Sequence, residues 1–249
     1  MAKWVAQIDR ADRIPEYIAH AFQVATSGRP GPVVLALPED CLSAVASVAD
    51  TKHYRAVQAC ASKQQLQQVR ELLSQAKRPF VLLGGGGWSP EACQQMTAFA
   101  ERNHLPLGCA FRFQDLIDNK HPNYVGDVGI GINPKLAQRI KDADVVLAIG
   151  PRLGEMTTSG YTIFEAPVPK QTLIHVHSDA LELGRVFQAQ MMINSGMQEF
   201  ARELFEMETL DSSAWRHQVT EARAELLAWQ NEPTIFAQEQ APLNLWQVV

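Results

Sequence analysis

Cysteine is scarce in this chain: four in 249 residues, at Cys41, Cys60, Cys93 and Cys109, with no C-x-x-C pair. That spacing excludes a disulfide framework or a zinc ribbon and fits a reduced, cytoplasmic chain. No apolar run approaches the ~20 residues that span a bilayer. The start, Met1-Ala2-Lys3-Trp4, opens no apolar core of a signal peptide. Positive charge is not in excess either. There are 27 acidic residues against 22 basic ones, a net charge of −5, and neither half is strongly basic. This excludes a nucleic-acid platform, as the missing span excludes a membrane partner. No G-x-x-x-x-G-K-[ST] phosphate loop occurs, and no Ser-His-Asp or Cys-His arrangement is readable.

What is present is an ordinary globular mixture, 46% apolar and 20% charged, enough for one large domain or two modest ones. Residues 14–27 read as an amphipathic helix, with Pro15 in the first turn and Ile14, Ile18, Phe22 and Ala25 on one face. A stiff turn at Gly28-Arg29-Pro30-Gly31-Pro32 follows. The continuous apolar run Val33 to Leu37 predicts a strand buried on both faces. One helix and one strand cannot supply that cover. Either this unit docks on the rest of the chain or its partner strands lie elsewhere. Residues 41–62, rich in Ala, Ser and Val, read as a linker.

From residue 63 the pattern becomes regular. Helices are predicted at 63–76, from Pro90, from Pro134, at 197–207 and at 214–229, with a short one at 181–187. Apolar strands are predicted at 80–83, 105–109, 145–149, 172–176 and 191–193, while 110–133 reads as irregular. Strands alternating with helices indicate α/β architecture with a doubly wound, mainly parallel sheet. The apolar end, Leu245-Trp246-Gln247-Val248-Val249, reads either as a tail folded back or as a linker toward a further domain.

In such sheets ligands bind beyond the carboxyl ends of the strands. Three of those ends are rich in glycine: Gly84–Gly87, Gly126–Gly131 and Gly150–Gly154. Glycine lets a backbone approach a ligand, and a following helix N-terminus favours an anion, so the pattern suits a diphosphate. Tight turns alone would also account for it. Gly84-Gly85-Gly86-Gly87-Trp88-Ser89 falls short of a dinucleotide fingerprint, because Ser89 replaces the third glycine and Phe111-Arg112-Phe113 stands where a ribose-binding acid would be. Arg29 and Arg152 each follow a glycine turn and could clamp a phosphate, or form surface ion pairs. His175 and His177 share a strand face but make an incomplete metal site.

The stretch Ala21 to Val33 with Leu37-Pro38-Glu39-Asp40 resembles the end of the pyrimidine-binding domain of thiamine-diphosphate enzymes of the acetolactate synthase type. The stretch from Arg78-Pro79 through Asp142 to Arg152 and on to Leu183-Gly184-Arg185 resembles their Rossmann-like central domain. The resemblance implies that 1–47 end a pyrimidine-binding domain, 48–62 link, 63–207 form the central nucleotide-binding-like domain, and 208–249 lead toward a diphosphate-binding domain. It implies a catalyst that decarboxylates a 2-oxo acid such as pyruvate and passes the two-carbon unit to an acceptor. Thiamine diphosphate and Mg2+ would be held outside this chain, and the whole protein would be a homodimer or tetramer. No catalytic residue and no metal ligand carries over, so the chain alone is expected to be inactive.

The resemblance implies FAD in the central domain, as in acetolactate synthases, ADP, as in oxalyl-CoA decarboxylases, or, as in some members, no nucleotide. The nucleotide-site residues that carry over are Arg29, Gly84, Gly85, Gly86, Gly126, Gly129, Gly150, Arg152 and Asp179. The chain departs from the pattern at Asp127-Val128, which replace methionine and histidine. It departs again at His177, which replaces the first acid of an Asp-x-Asp pair, and at Leu153-Gly154-Glu155-Met156, where two acids are usual. These departures imply an altered site. The alternative to an enzyme portion is a stand-alone nucleotide-binding module with a regulatory or assembly role.

Overall fold

The computed structural model describes residues 2–231, so Trp246 and the apolar end lie outside the described residues. The N-terminal unit holds β1 (Trp4–Gln7), α1 (Ile14–Thr26), β2 (Val33–Ala36) and a short α2 (Glu39–Ser43). Proline in the first turn starts α1, and the left-handed Gly28 follows its end. β1, which the sequence did not signal, pairs in parallel with β2, placing Trp4 opposite Val33 and Gln7 opposite Ala36.

Two expectations are corrected here. β2 is not buried on both faces: its residues alternate between half-buried and exposed, and Val34 is 51% exposed. One neighbouring strand and one helix cover only one face. The apolar stripe of α1 is also partly open, with Ile18 and Phe22 exposed. Phe22 stacks instead on Tyr54, 5.2 Å between centroids, in the connecting chain that starts after Ser43.

The larger unit runs α3 (Lys63–Ser74), β3 (Pro79–Leu83), α4 (Pro90–Arg102), β4 (Leu107–Ala110), β5 (Tyr124–Val128), α5 (Pro134–Asp142), β6 (Val145–Ile149), β7 (Thr172–His177), β8 (Met191–Asn194), α6 (Met197–Glu206) and α7 (His217–Gln230). The strands form one parallel six-stranded sheet in the order β5-β4-β3-β6-β7-β8. The chain winds outward from β3 to β5, then returns to the other side of β3 as β6, so strand order reverses between β3 and β6. Alternate residues of β3 feed two cores. Val81 and Leu83 pack with α4 and α6 through Met96, Phe99 and Phe200. Phe80 and Leu82 pack with α5 through Leu136 and Ile140. Helices on both faces make the sheet doubly wound, as the alternation of elements implied.

Local signals act as expected at several ends. Ser89 caps α4 by accepting from Ala92 N–H at 3.1 Å, and Asn133 caps α5 by accepting from Lys135 N–H at 2.9 Å. Two segments differ. β5 arises inside the stretch read as irregular, because pairing with β4 overrides the interruption at Gly126. Residues 181–187 form turns rather than a helix: Leu181 N–H donates to the Asp179 carboxylate at 3.0 Å, and Gly184 takes a left-handed φ of 73°. Trp215 is fully buried and donates to the Asn103 carbonyl at 3.0 Å, so it packs the chain inside the domain. Among the described residues no helix is long and apolar enough to cross a membrane.

Candidate functional site

The carboxyl ends of β3 and β6 meet where strand order reverses, the usual place for a ligand in an open α/β sheet. Gly84 N–H donates to Ile149 O at 3.1 Å, and Gly150 N–H to Val176 O at 2.8 Å, which ties both turns to the sheet. A Cβ on Gly85 would strike the Gly150 carbonyl, and one on Gly150 would strike Gly84. A Cβ on Gly84 would lie 2.8 Å from the side chains of Ala110 and Pro151. These three glycines let two turns cross at close range. Gly86, by contrast, has open space where a side chain would stand.

Beside this crossing lie two adjoining cavities, each about 290 Å³. The first is bounded by Arg29, Pro30, Gly86, Phe113 and His177. The second is bounded by Glu155, Tyr161, His175, Glu182, Arg185 and Phe187. Arg152 and Thr157 belong to both and form the waist. Together the cavities make a cleft of small-molecule size, lined by charged and polar groups around an aromatic end.

Charge in the cleft is concentrated on one carboxylate. Glu182 Oε2 lies 3.1 Å from Arg152 Nε, 3.5 Å from Arg185 Nη1 and 3.6 Å from Arg29 Nη1. Arg29 also lies 3.8 Å from Asp179 Oδ2. Three guanidiniums against two carboxylates leave the group one positive charge in excess. Glu182 is nearly buried, at 8% exposure, whereas the three arginines keep about half of their surface in solvent. Their remaining N–H forks are free to meet an anion.

Burial disfavours the charged form of both histidines of β7. Burial pushes His175 down to about 4, and its Nε2–H donates to the Pro151 carbonyl at 3.0 Å. Burial also lowers His177, whose Nδ1 accepts from Asp179 N–H at 3.0 Å. Their rings are 6.2 Å apart. Among the described residues no group of three or more His, Cys, Asp or Glu side chains is placed to hold a metal ion.

The sequence candidates therefore separate. Arg29, Gly85, Gly86 and Arg152 come together at the cleft, with Gly84 and Gly150 beneath it and Asp179 beside Arg29. Gly126 does not join them. It lies inside β5, where a Cβ would meet Leu136 of α5 at 3.0 Å, so it serves helix packing. Gly129 is pressed against Phe111, 2.7 Å from where its Cβ would stand, and is likewise a packing glycine. Arg112 lies over the Phe111 ring at 5.1 Å rather than along the cleft. The sequence reading missed Glu182, Arg185, Tyr161 and Phe187 as cleft residues, whereas Glu155 and Thr157, read as able to reach the same edge, do line it. The one local signal was an acid three residues before an arginine, just past the end of a strand.

Comparisons with known proteins meet this geometry. The family model described as thiamine pyrophosphate enzyme, central domain, matches residues 66–204. The acetolactate synthase large subunit of Corynebacterium glutamicum is 28% identical over 213 residues, covering 81% of this chain and 33% of the relative. A probable acetolactate synthase large subunit of Methanocaldococcus jannaschii is 26% identical, covering 87% of this chain and 38% of the relative. The acetolactate synthase isozyme 2 large subunit of Escherichia coli is 23% identical, covering 88% and 39%. The chain thus spans little more than a third of the length of these curated relatives.

Proposed function

The chain belongs to the thiamine pyrophosphate enzyme family through its central domain, and from that premise we propose that it is the central portion of an acetolactate synthase-like enzyme. The parent decarboxylates a 2-oxo acid of the pyruvate type and transfers the two-carbon unit to an acceptor. The similarity to acetolactate synthase large subunits over more than four fifths of the chain supports this reading. In it, the nucleotide-binding-like domain starts at residue 63 and runs past the expected boundary at 207, because Trp215 and Leu226 join one of its cores and Ala222 the other; the N-terminal unit completes a pyrimidine-binding domain, and the flanking domains join subunits into a dimer or tetramer.

This reading assigns no ligand of thiamine diphosphate or its magnesium ion to the described residues. The chemistry of that cofactor belongs to segments outside them. The cleft between the ends of β3 and β6 does fit a nucleotide diphosphate of the ADP or FAD type. The arginine waist would take the phosphates, Gly86 gives the backbone close approach, and Tyr161 with Phe187 offers an apolar end for a flat ring. Such a group would order the cleft by pairing with its arginines. The four cysteines are free, which suits a reducing cytoplasm.

The test is product formation. The 249-residue chain, supplied with pyruvate, thiamine diphosphate and Mg2+, is expected to form no acetolactate. Acetolactate formation by the chain alone would overturn the placement of catalysis outside it.

A further inference from the structure

We propose that Glu182 is a built-in anion that holds the three arginines of the cleft together and competes with the ligand for their charge. On this account the cleft admits polyphosphate-type anions and turns away singly charged ones. The inference rests on the nucleotide reading of the same cleft.

The geometry carries the argument. One carboxylate oxygen, Glu182 Oε2, serves three guanidiniums at 3.1–3.6 Å. Those arginines come from three different places: the turn after α1, the turn after β6 and the turn after β7. Without a shared anion, three like charges converging on one point would repel and splay. Glu182 is itself held in register, since Glu182 N–H donates to Asp179 O at 3.2 Å. Its near burial makes an unpaired state costly, so the carboxylate does not release its partners without replacement.

An incoming anion therefore shares the guanidiniums with Glu182, meeting their remaining N–H groups while Glu182 Oε2 keeps its own. A single carboxylate or halide meets a charge that Glu182 already largely offsets, and gains little. A diphosphate brings two or three charges and several oxygens, and the half-exposed guanidinium forks match those oxygens in pairs. Glu182 sets a charge threshold at the site. Removing its charge should tighten anion binding, because a like charge then disappears from the neighbourhood of the phosphates.

The test is calorimetric titration of the full chain and of Glu182→Gln and Glu182→Ala with ADP, inorganic pyrophosphate and pyruvate. The wild-type chain is expected to bind ADP and pyrophosphate and to give no heat with pyruvate. Both variants are expected to bind pyrophosphate at least tenfold more tightly. Glu182→Asp, which keeps the charge on a shorter arm, should stay within about threefold of wild type. A gain of affinity cannot come from misfolding, and the smaller alanine variant covers the case in which glutamine packs badly. Wild-type binding with unchanged or weaker affinity in both charge-removing variants would overturn the role of Glu182 and leave the nucleotide reading standing. No binding of ADP or pyrophosphate by any form would overturn both.

Discussion

Gly85 and Gly150 face each other across the β3–β6 crossing so closely that a methyl group on either would collide with the backbone of the other or of its neighbour. Gly85 also takes a left-handed φ of 69°. Gly85→Ala therefore combines a strained backbone with a steric clash, and should cost about 2–4 kcal/mol of stability. Gly86, one residue on, has open space and no such φ. Gly86→Ala should leave the urea midpoint close to wild type while narrowing the approach to the cleft. Equal loss of stability in both variants would contradict the close crossing.

Stability should fall in mild acid. Burial lowers His175 from 6.5 to about 4. Below pH 6.5 the unfolded chain takes up a proton that the folded chain does not bind until about pH 4. The contribution of His175 is thus fully present above 6.5 and is lost as pH falls through that window. The full difference is on the order of 3 kcal/mol. His177 acts in the same direction. Urea unfolding of His175→Asn measured from pH 7 to 4.5 should decline less steeply than wild type. Identical slopes would show that His175 titrates normally.

Asn103 and Trp215 join the chain beyond α6 to the domain. Asn103 donates through its amide to Phe99 O at 2.8 Å, accepts from Leu210 N–H at 2.8 Å, and offers its own carbonyl to the Trp215 indole. Trp215 is fully buried. Trp215→Ala should cost about 3–5 kcal/mol by leaving a cavity. Trp215→Phe, which keeps most of the packing and loses the indole hydrogen bond, should cost about 1–3 kcal/mol. Chemical denaturation followed by circular dichroism separates the two.

Sequence patterns foretold the interior of the sheet better than its margins. β3 and β6 are unbroken apolar runs, because each has a neighbour on both sides and a helix layer on both faces. β5 escaped notice because Gly126 and Asp127 interrupt it. Asp127 lies part-buried with its carboxylate 2.6 Å from the Gln114 amide, and burial raises its pKa. β1 has only four residues and its strand character comes from pairing with β2, a relation no local window contains. The cleft shows the same limit. Glycine turns were legible, but the need for Gly85 arises from Gly150, far along the chain. Glu182 carried little signal beyond its spacing to Arg185, since its importance comes also from the arginines at positions 29 and 152.

Calorimetric titration with ADP and FAD of the wild-type chain, Arg29→Ala and Arg152→Ala tests most directly whether the β3–β6 cleft holds a nucleotide. The account predicts one site in the wild-type chain and a loss of about tenfold or more in each arginine variant, the weight of a charge-assisted phosphate contact. No heat with either nucleotide, or binding indifferent to both arginines, would contradict it.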